Sequence, residues 1–483
     1  MLIGGRLVEA TGGRTYPVLN PATGAEIGSA PDAGPADLEA AIAAARQAFD
    51  GSTWPIDVEL RVRCLRELHQ ALVDAGPAMR ALTTAEVGAP VFLTTGPQYD
   101  VPVQALSWTI DLAEKYSWET DLGEATMMGL RSRRRLRREA TGVVAAITPW
   151  NFPNQITLAK IGPALAAGNT VVLKPAPDTP WLACELGRLV AERTGLPPGV
   201  LNVVTPRDNA TAAGLVTDPR VDQISFTGST ATGRAIMAAA APSLKRVFLE
   251  LGGKSAAIVL DDADLRSAVG AAAFAVCVHA GQGCALTTRL LVPRESYDQA
   301  VEIAAATMAG LPPSDPTDPG TVCGPVISAA QRDRVLGYLG LARAEGGRFA
   351  AGGGTDETKD GGFWIRPTVI AGLDNSARVA REEIFGPVLT VIGHDGDDDA
   401  VAIANDSEYG LSGSVDGSPE RAAAVAARIR TGTIAVNGGL WYHPDAPFGG
   451  YKQSGIGREM GLAGFEEYLE TKLVAESVPR RRS

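Results

Sequence analysis

The sequence predicts an α/β protein: a doubly wound parallel sheet followed by a second α/β domain. Three observations carry the prediction. Between residues 143 and 250, short β-branched runs (VVAAIT, VVLKPA from 171, VLNVV from 200, QISFTG from 223, RVFLEL from 246) alternate with helical stretches, and strands spaced this way pair in parallel through crossover helices. One crossover is legible residue by residue: TPWLACELGRLVAERTG sets Leu182, Leu186 and Leu189 on one face, with Thr179 as N-cap, Pro180 in the first turn and Gly195 as the stop. The chain is also 483 residues long, beyond the ~250 to 300 residues at which single cores stop growing.

The remaining elements follow in order. PADLEAAIAAARQAF places Leu38, Ile42, Ala45 and Phe49 on one helical stripe, and RVRCLRELHQALV does the same with Leu65, Leu68 and Leu72; these helices are expected to cover the sheet. After residue 251 come helical DLRSAVGAAAFAVCVHA, strand RLLVP, helix YDQAVEIAAATMAG, then strands PTVIAG, PVLTVIG and GTIAVN. RSRRRLRR at 131–138 holds six arginines. It reads as a solvated or interfacial strand paired with acid elsewhere, since it lacks the interleaved aromatics of a nucleic-acid patch.

Composition narrows the function classes. A net charge of −11 disfavours nucleic acid as a partner. The longest uncharged apolar run, SAVGAAAFAVCV at 267–278, is shorter than the ~18 residues of a membrane span. MLIGGRLVEATGG at the start has neither basic leader nor apolar core, so a cytoplasmic location is expected. Five cysteines without a CxxC pair read as reduced thiols, and four histidines without an HxxxH or HxH pair make a zinc site unexpected.

Five stretches invite a chemical reading. FTGSTATGRA, 226–235, joins a strand to a helix, where free N–H groups and the helix dipole favour a phosphate. Arg234 and Ala235 replace the Lys and Ser/Thr of a P-loop, so a dinucleotide pyrophosphate fits better, the alternative being a bare tight turn. GIGREMG at 455 is a weaker match, with Met460 where a third glycine of GxGxxG belongs. Glu250 in LELGGKS is a structurally paired carboxylate or a base with raised pKa. Asn151 in TPWNFPN caps a turn or presents its amide to a site, and Cys284 in GQGC is an inert buried thiol or a nucleophile that needs nearby help.

Taken together, TPWNFP, KPAPDTP, FTGSTATG, LELGGKS, GQGC, EEIFGPV and PFGGYKQSGIGREMG, in this order, resemble the aldehyde dehydrogenase superfamily from NPATG at 20 to YLETK at 468. The separation of Glu250 and Cys284 resembles the family's spacing of base and nucleophile. The resemblance implies an aldehyde dehydrogenase-like fold: a Rossmann-type cofactor domain at 1–120 and 141–250, a catalytic domain at 251–453, and an oligomerisation element at 121–140 and 454–483. A homodimer or homotetramer is expected.

The implied activity is oxidation of a small-molecule aldehyde to a carboxylic acid. Cys284 would attack the carbonyl to give a thiohemiacetal, with the Asn151 amide and the Cys284 backbone N–H holding the oxyanion. After hydride transfer to the nicotinamide, Glu250 would deprotonate the water that opens the thioester, with Lys160 supporting the site. Cofactor residues carry over as Thr148, Pro149, Trp150, Lys174 (adenosine ribose), Gly228 and Ser229 (pyrophosphate), Gly252, Glu383 (nicotinamide ribose) and Phe385 (beside the ring). Pro177 departs from the family, where a glutamate often binds the adenosine ribose; NAD is expected, with NADP as the alternative. Ala159 stands where relatives often have an aromatic lining the tunnel, and LWYH at 440–443 adds aromatics, which points to a roomy apolar or aromatic aldehyde. The rival readings are a cofactor-independent cysteine hydrolase recruiting His279, His394 or His443, and a noncatalytic member of the fold.

Overall fold

A computed structural model describes residues 1–479; residues 480–483 of the expected oligomerisation element lie outside the described residues. An eight-stranded sheet runs in the order Gly455–Ile456, Arg246–Glu250, Gln223–Thr227, Val143–Ile147, Thr170–Lys174, Leu201–Val203, Leu2–Ile3, Arg6–Leu7. Its five central strands are parallel. They carry apolar runs rather than strict alternation because helices cover both faces. In Val143–Ile147, Val144 and Ala146 pack under helices Val58–Val87, Asp100–Lys115, Pro153–Ala166 and Pro180–Arg193, while Val143, Ala145 and Ile147 pack under Pro35–Gly51 and Thr230–Ala240. Successive side chains of a strand point to opposite faces, so one pentapeptide serves two cores.

Winding starts at Val143–Ile147, moves outward through Thr170–Lys174 and Leu201–Val203, then returns to the other side with Gln223–Thr227 and Arg246–Glu250. The reversal leaves a crevice between the carboxyl ends of Val143–Ile147 and Gln223–Thr227, the place where doubly wound sheets bind ligands. The segments beginning at Thr148 and Gly228 emerge there.

The second domain is a seven-stranded sheet ordered Arg348–Ala351, Thr368–Ala371, Val388–His394, Arg289–Pro293, Ala256–Val259, Gly413–Asp416, Ala435–Val436. The GTIAVN stretch shrinks to the two residues Ala435–Val436, an edge strand with one neighbour. Leu469–Ser477, Leu130–Ala140 and Glu119–Met127 form a separate three-stranded sheet, while Gly455–Ile456 adds to the eight-stranded one. The arginine run faces acceptors within this small sheet: Arg133 meets Asp121 at 2.7 Å, Arg135 meets Glu119 at 3.1 Å and Glu476, and Arg131 meets Glu124 at 2.5 Å. No helix among the described residues is long and apolar enough to cross a membrane.

One expected cap is replaced. Thr179 precedes Pro180–Arg193 but makes no capping bond, and its hydroxyl is buried without a partner. The buried Glu86 carboxylate, from the end of Val58–Val87, accepts instead from Trp181 N (2.6 Å) and Leu182 N (3.1 Å). Burial raises the Glu86 pKa to about 8 while the two N–H groups pull it back, and one carboxyl group brought in by tertiary packing satisfies two free N–H groups at the helix start, where a local hydroxyl reaches fewer.

Arg61 ties helix Val58–Val87 to the end of helix Pro153–Ala166 and to the turn at Trp54 and Pro55. It is buried, donates to the carbonyls of Ala166 (3.0 Å), Trp54 (3.1 Å) and Pro55 (3.0 Å), and lies 4.7 Å from the Trp118 ring centroid. Burial lowers its pKa to about 10. Arg61→Met strands three carbonyls, a cost on the order of 3 kcal/mol, and is expected to lower the apparent Tm by several degrees at fixed scan rate. Arg133→Ala, which breaks an exposed pair, is the control and should shift Tm by less than about one degree.

Candidate active site

Three strand and helix ends bring the chemical groups together. Val143–Ile147 runs out into Thr148, Pro149, Trp150 and Asn151 before helix Pro153–Ala166 begins. Asn151 is 3% exposed. Its backbone carbonyl accepts from Gln98 Nε2 at 2.7 Å and faces His279 Nε2 at 3.0 Å, while its side-chain Nδ2 donates to the Gln282 carbonyl at 2.9 Å. Strand Arg246–Glu250 ends on Glu250.

Cys284 arrives from helix Leu265–Cys277 through a left-handed bend, with φ of 52° at His279, 52° at Ala280 and 72° at Gly281. At Gly281 a Cβ would fall 2.1 Å from the Gly386 carbonyl oxygen, so only glycine lets the loop turn back toward the cleft. Cys284, Glu250 and Asn151 line one cleft of about 540 Å³.

The electrostatics are those of acid taken out of water. Glu250 is 2% exposed and neither carboxylate oxygen has a hydrogen-bond partner. Burial, then the like charge of Glu459, push its carboxyl well above the ordinary range, while Lys160, Arg458 and the Cys284 thiol pull back less. Burial also pushes the Cys284 thiol up, followed by the charges of Glu250, Glu383 and Glu459. The thiol therefore rests protonated and needs a base at hand.

Lys160 stands behind the cleft rather than in it. Its buried Nζ lies 3.0 Å from Glu459 Oε1 and 4.7 Å from the Phe248 ring centroid. Glu459 does line the cleft, a site carboxylate that the sequence reading passed over. It lies inside GIGREMG, whose glycines drew attention to phosphate binding; the available signal was a lysine predicted near the site with no acid assigned to it.

The residues expected to hold the cofactor lie around the crevice. Thr148 N donates to Lys174 O at 3.0 Å, Trp150 meets Phe385 edge-on with ring centroids 5.3 Å apart, and Phe385 itself is left-handed at φ 62°. Ser229 caps helix Thr230–Ala240 by accepting from Thr232 N at 3.3 Å. Gly228 lies against the Phe226 ring, which an added Cβ would approach to 2.5 Å. Glu383 Oε1 accepts from Gly253 N at 2.9 Å, and a Cβ on Gly252 would meet its other oxygen at 2.3 Å. Burial lowers the pKa of Lys174 to about 8, opposed by Asp178. A nearly buried ammonium at the strand end, a capped helix N-terminus and a carboxylate over a double-glycine turn fit a dinucleotide: hydroxyl partners at its two ends and a helix dipole for its phosphates. Pro177 is half-buried three residues after Lys174.

The rest of the cleft is mostly apolar, with Val101, Phe152, Ile156, Trp441, Tyr442 and Phe448 among its walls and Gln155, Thr287, Ser412 and Asp416 as polar members. Trp441 stacks on Phe448 with centroids 5.3 Å apart. Ala159 lines a side recess with Trp108 and Leu106 that shares Tyr442 and Met460 with the main cleft. From the LWYH stretch, Trp441 and Tyr442 face the cleft, Leu440 is exposed, and His443 pairs with Asp445 outside it.

A cysteine hydrolase would need an imidazole on the thiol. His279 is committed to Asn151 O, His394 Nε2 lies 3.0 Å from Val259 O, and His443 is exposed.

The aldehyde dehydrogenase family model matches residues 7–474. The chain is 41% identical to geranial dehydrogenase of Castellaniella defragrans, over 98% of both sequences. It is 39% identical to betaine aldehyde dehydrogenase of Cereibacter sphaeroides, over 98% of this chain and 96% of that one. Among solved structures, a Mycobacterium tuberculosis aldehyde dehydrogenase with NAD+ superposes with a TM-score of 0.94 at 41% identity, covering 100% of this chain and 98% of that one. A cysteine-to-alanine variant of Pseudomonas syringae aldehyde dehydrogenase C, with NAD+ and octanal, gives 0.92 at 39% identity, covering 98% and 96%. Agreement of this extent over nearly the whole chain shows that it belongs to the aldehyde dehydrogenase family and oxidises an aldehyde to the carboxylic acid with NAD+.

Proposed function

We propose that Cys284 is the nucleophile, Glu250 the hydrolytic base and Asn151 an oxyanion donor, acting on apolar or aromatic aldehydes. The observation that carries the reading is one cleft lined by a thiol, a partnerless buried carboxylate and a fixed amide. The Cys284 proton passes to Glu250 and on to solvent, the thiolate adds to the carbonyl carbon, and the negative charge that moves to oxygen meets the Asn151 Nδ2 and Cys284 backbone N–H groups. NAD+ supplies the hydride acceptor. Glu250 then takes a proton from water, the hydroxide adds to the thioester carbon, and the C–S bond breaks to release the acid and regenerate the thiolate. Lys160 holds Glu459, and the two together tune Glu250. Trp150 and Phe385 form one wall for the nicotinamide, with Thr148, Pro149, Gly228, Ser229 and Gly252 along its path and Glu383 at its ribose.

The substrate class is supported by the aromatic and aliphatic walls and by the small Ala159 at the recess. A screen of alkanals, terpenoid and aromatic aldehydes, following NADH absorbance, tests it; preference for short charged aldehydes would overturn it. Residues 1–120 and 141–250 are read as the cofactor domain, 251–453 as the catalytic domain, and 121–140 with 454–483 as an element joining copies into a homodimer or homotetramer. Exposed Leu122, Met127, Met128, Leu130 and Leu473 on the three-stranded sheet support the last. A cytoplasmic location accords with five free cysteines.

Cys284→Ala is expected to abolish aldehyde oxidation. Alanine at Cys64, Cys184, Cys277 or Cys323, whose thiols are all raised by burial, should leave most turnover. A folded but equally inactive Cys277→Ala would refute the assignment.

In rapid mixing, Glu250→Gln should release up to one NADH per site and then stall, with the acyl group on the Cys284 peptide by mass spectrometry. The base works only when deprotonated and its pKa is raised, so parental kcat should fall as pH falls, along a limb lying above the ordinary carboxylate value of 4.5. That limb should be absent from the variant's residual rate. Normal steady turnover in Glu250→Gln would rule out the role.

Pro177→Glu should raise the NAD-to-NADP ratio of kcat/KM by adding a ribose acceptor that repels a 2′-phosphate. An unchanged ratio would place Pro177 away from the adenosine ribose.

A further inference from the structure

The mechanism uses the Asn151 side chain but leaves unexplained what holds its backbone. Two fully buried side chains converge on that one carbonyl: Gln98 Nε2 at 2.7 Å and His279 Nε2 at 3.0 Å. They come from two segments far apart in the chain. Gln98 precedes helix Asp100–Lys115, and Asn154 Nδ2 ties it down by donating to its carbonyl at 3.1 Å. His279 belongs to the left-handed bend that delivers Cys284.

The same bend grips Asn151 a second time. Gln282 accepts from Asn151 Nδ2 through its carbonyl at 2.9 Å, while its own side chain donates to the His279 carbonyl at 3.0 Å and accepts from Ile327 N at 2.9 Å. Asn151 is thus held at backbone and side chain by residues five and two positions before Cys284. One amide hydrogen goes to Gln282, leaving the other for the oxyanion. A two-point attachment sets both distance and orientation between the loop carrying one oxyanion donor and the loop carrying the other.

We propose that His279 is a positioning residue: in its Nε2–H form it donates to the Asn151 carbonyl and sets the spacing between the Asn151 amide and the Cys284 backbone N–H. The tautomer follows from the acceptor, since a carbonyl can only receive. Burial lowers the ring's pKa to about 4, so the ring is neutral through the working range. Nδ1 is left without a partner, and the ring lies 5.4 Å from the Phe152 ring, centroid to centroid, at an interplanar angle of 75°. This surround favours a neutral aromatic with one donor. The inference rests on the assignment of Asn151 and Cys284 as oxyanion donors, so its test separates the two.

The experiment is a double-mutant cycle on the full-length enzyme with octanal and NAD+, using His279→Phe, His279→Gln, Asn151→Ala and Asn151→Ala/His279→Phe. Phenylalanine keeps a ring and deletes the donor; glutamine keeps a donor near the Nε2 position. His279→Phe should lower kcat about tenfold with KM for NAD+ within about twofold, less than the loss from deleting an oxyanion donor outright. His279→Gln should recover kcat to within about threefold of the parent. In the Asn151→Ala background, His279→Phe should cost less than about twofold more, because the donor it orients is gone.

If His279→Phe lowers Asn151→Ala by the same factor as it lowers the parent, or leaves parental kcat intact, the positioning role is overturned. If Asn151→Ala itself leaves kcat unchanged, the oxyanion assignment falls instead. Should His279→Phe not fold, His279→Met, more adaptable in a packed site, replaces it in the same cycle.

Discussion

Adjacent parallel strands whose crossovers leave in opposite directions cannot be bridged by the chain at their carboxyl ends, and this opening at Val143–Ile147 is the constraint on which the rest of the structure depends. The site groups carried by the first sheet descend from it. Asn151 and Ser229 stand on the two segments leaving the crevice, Lys174 ends the next strand outward, and Glu250 ends the neighbour of Gln223–Thr227. The second sheet presents the bend from His279 to Cys284 across the gap, along with Glu383, Phe385 and the cleft walls Trp441 and Tyr442.

That presentation creates an electrostatic problem which the fold solves by arrangement. Glu250, Glu459 and Glu383 all act on Cys284, and all raise its proton affinity. Only Glu459 has a buried cation paired with it, Lys160 at 3.0 Å. A buried carboxylate without a partner is costly as an anion and stays near neutrality by holding its proton. Glu250 and Cys284 are therefore both poised with raised pKa values, side by side, which suits a pair that must exchange protons around a reacting carbonyl.

The local grammar was readable wherever a residue's environment comes from its own segment. The five parallel strands lie where the β-branched runs place them, and Leu182, Leu186 and Leu189 all pack in the core under one helix. It failed where a distant group takes over a local job. The capping of Pro180–Arg193 passes from Thr179 to Glu86, 93 residues earlier in the chain. GTIAVN, a convincing strand by composition, keeps only two paired residues because it lies at a sheet edge.

For the site, each of Cys284, Glu250 and Asn151 taken alone left a structural role open, and it was the resemblance of the ordered motifs to a family that singled them out; the fold brings all three to one cleft. The sequence by itself determined the order of strands and helices and the positions of the proposed nucleophile and base, since periodicity and motif spacing are properties of neighbouring residues. Tertiary structure alone decided that Lys160 serves Glu459, that Ala159 opens a side recess rather than the main cleft, and that His279 and Gln98 share the Asn151 carbonyl. Each depends on which groups meet when segments tens to hundreds of residues apart are packed, and on how little water remains between them. Hydrogen bonds and proton affinities are set by that distance and that dryness, neither of which is written in the order of the residues.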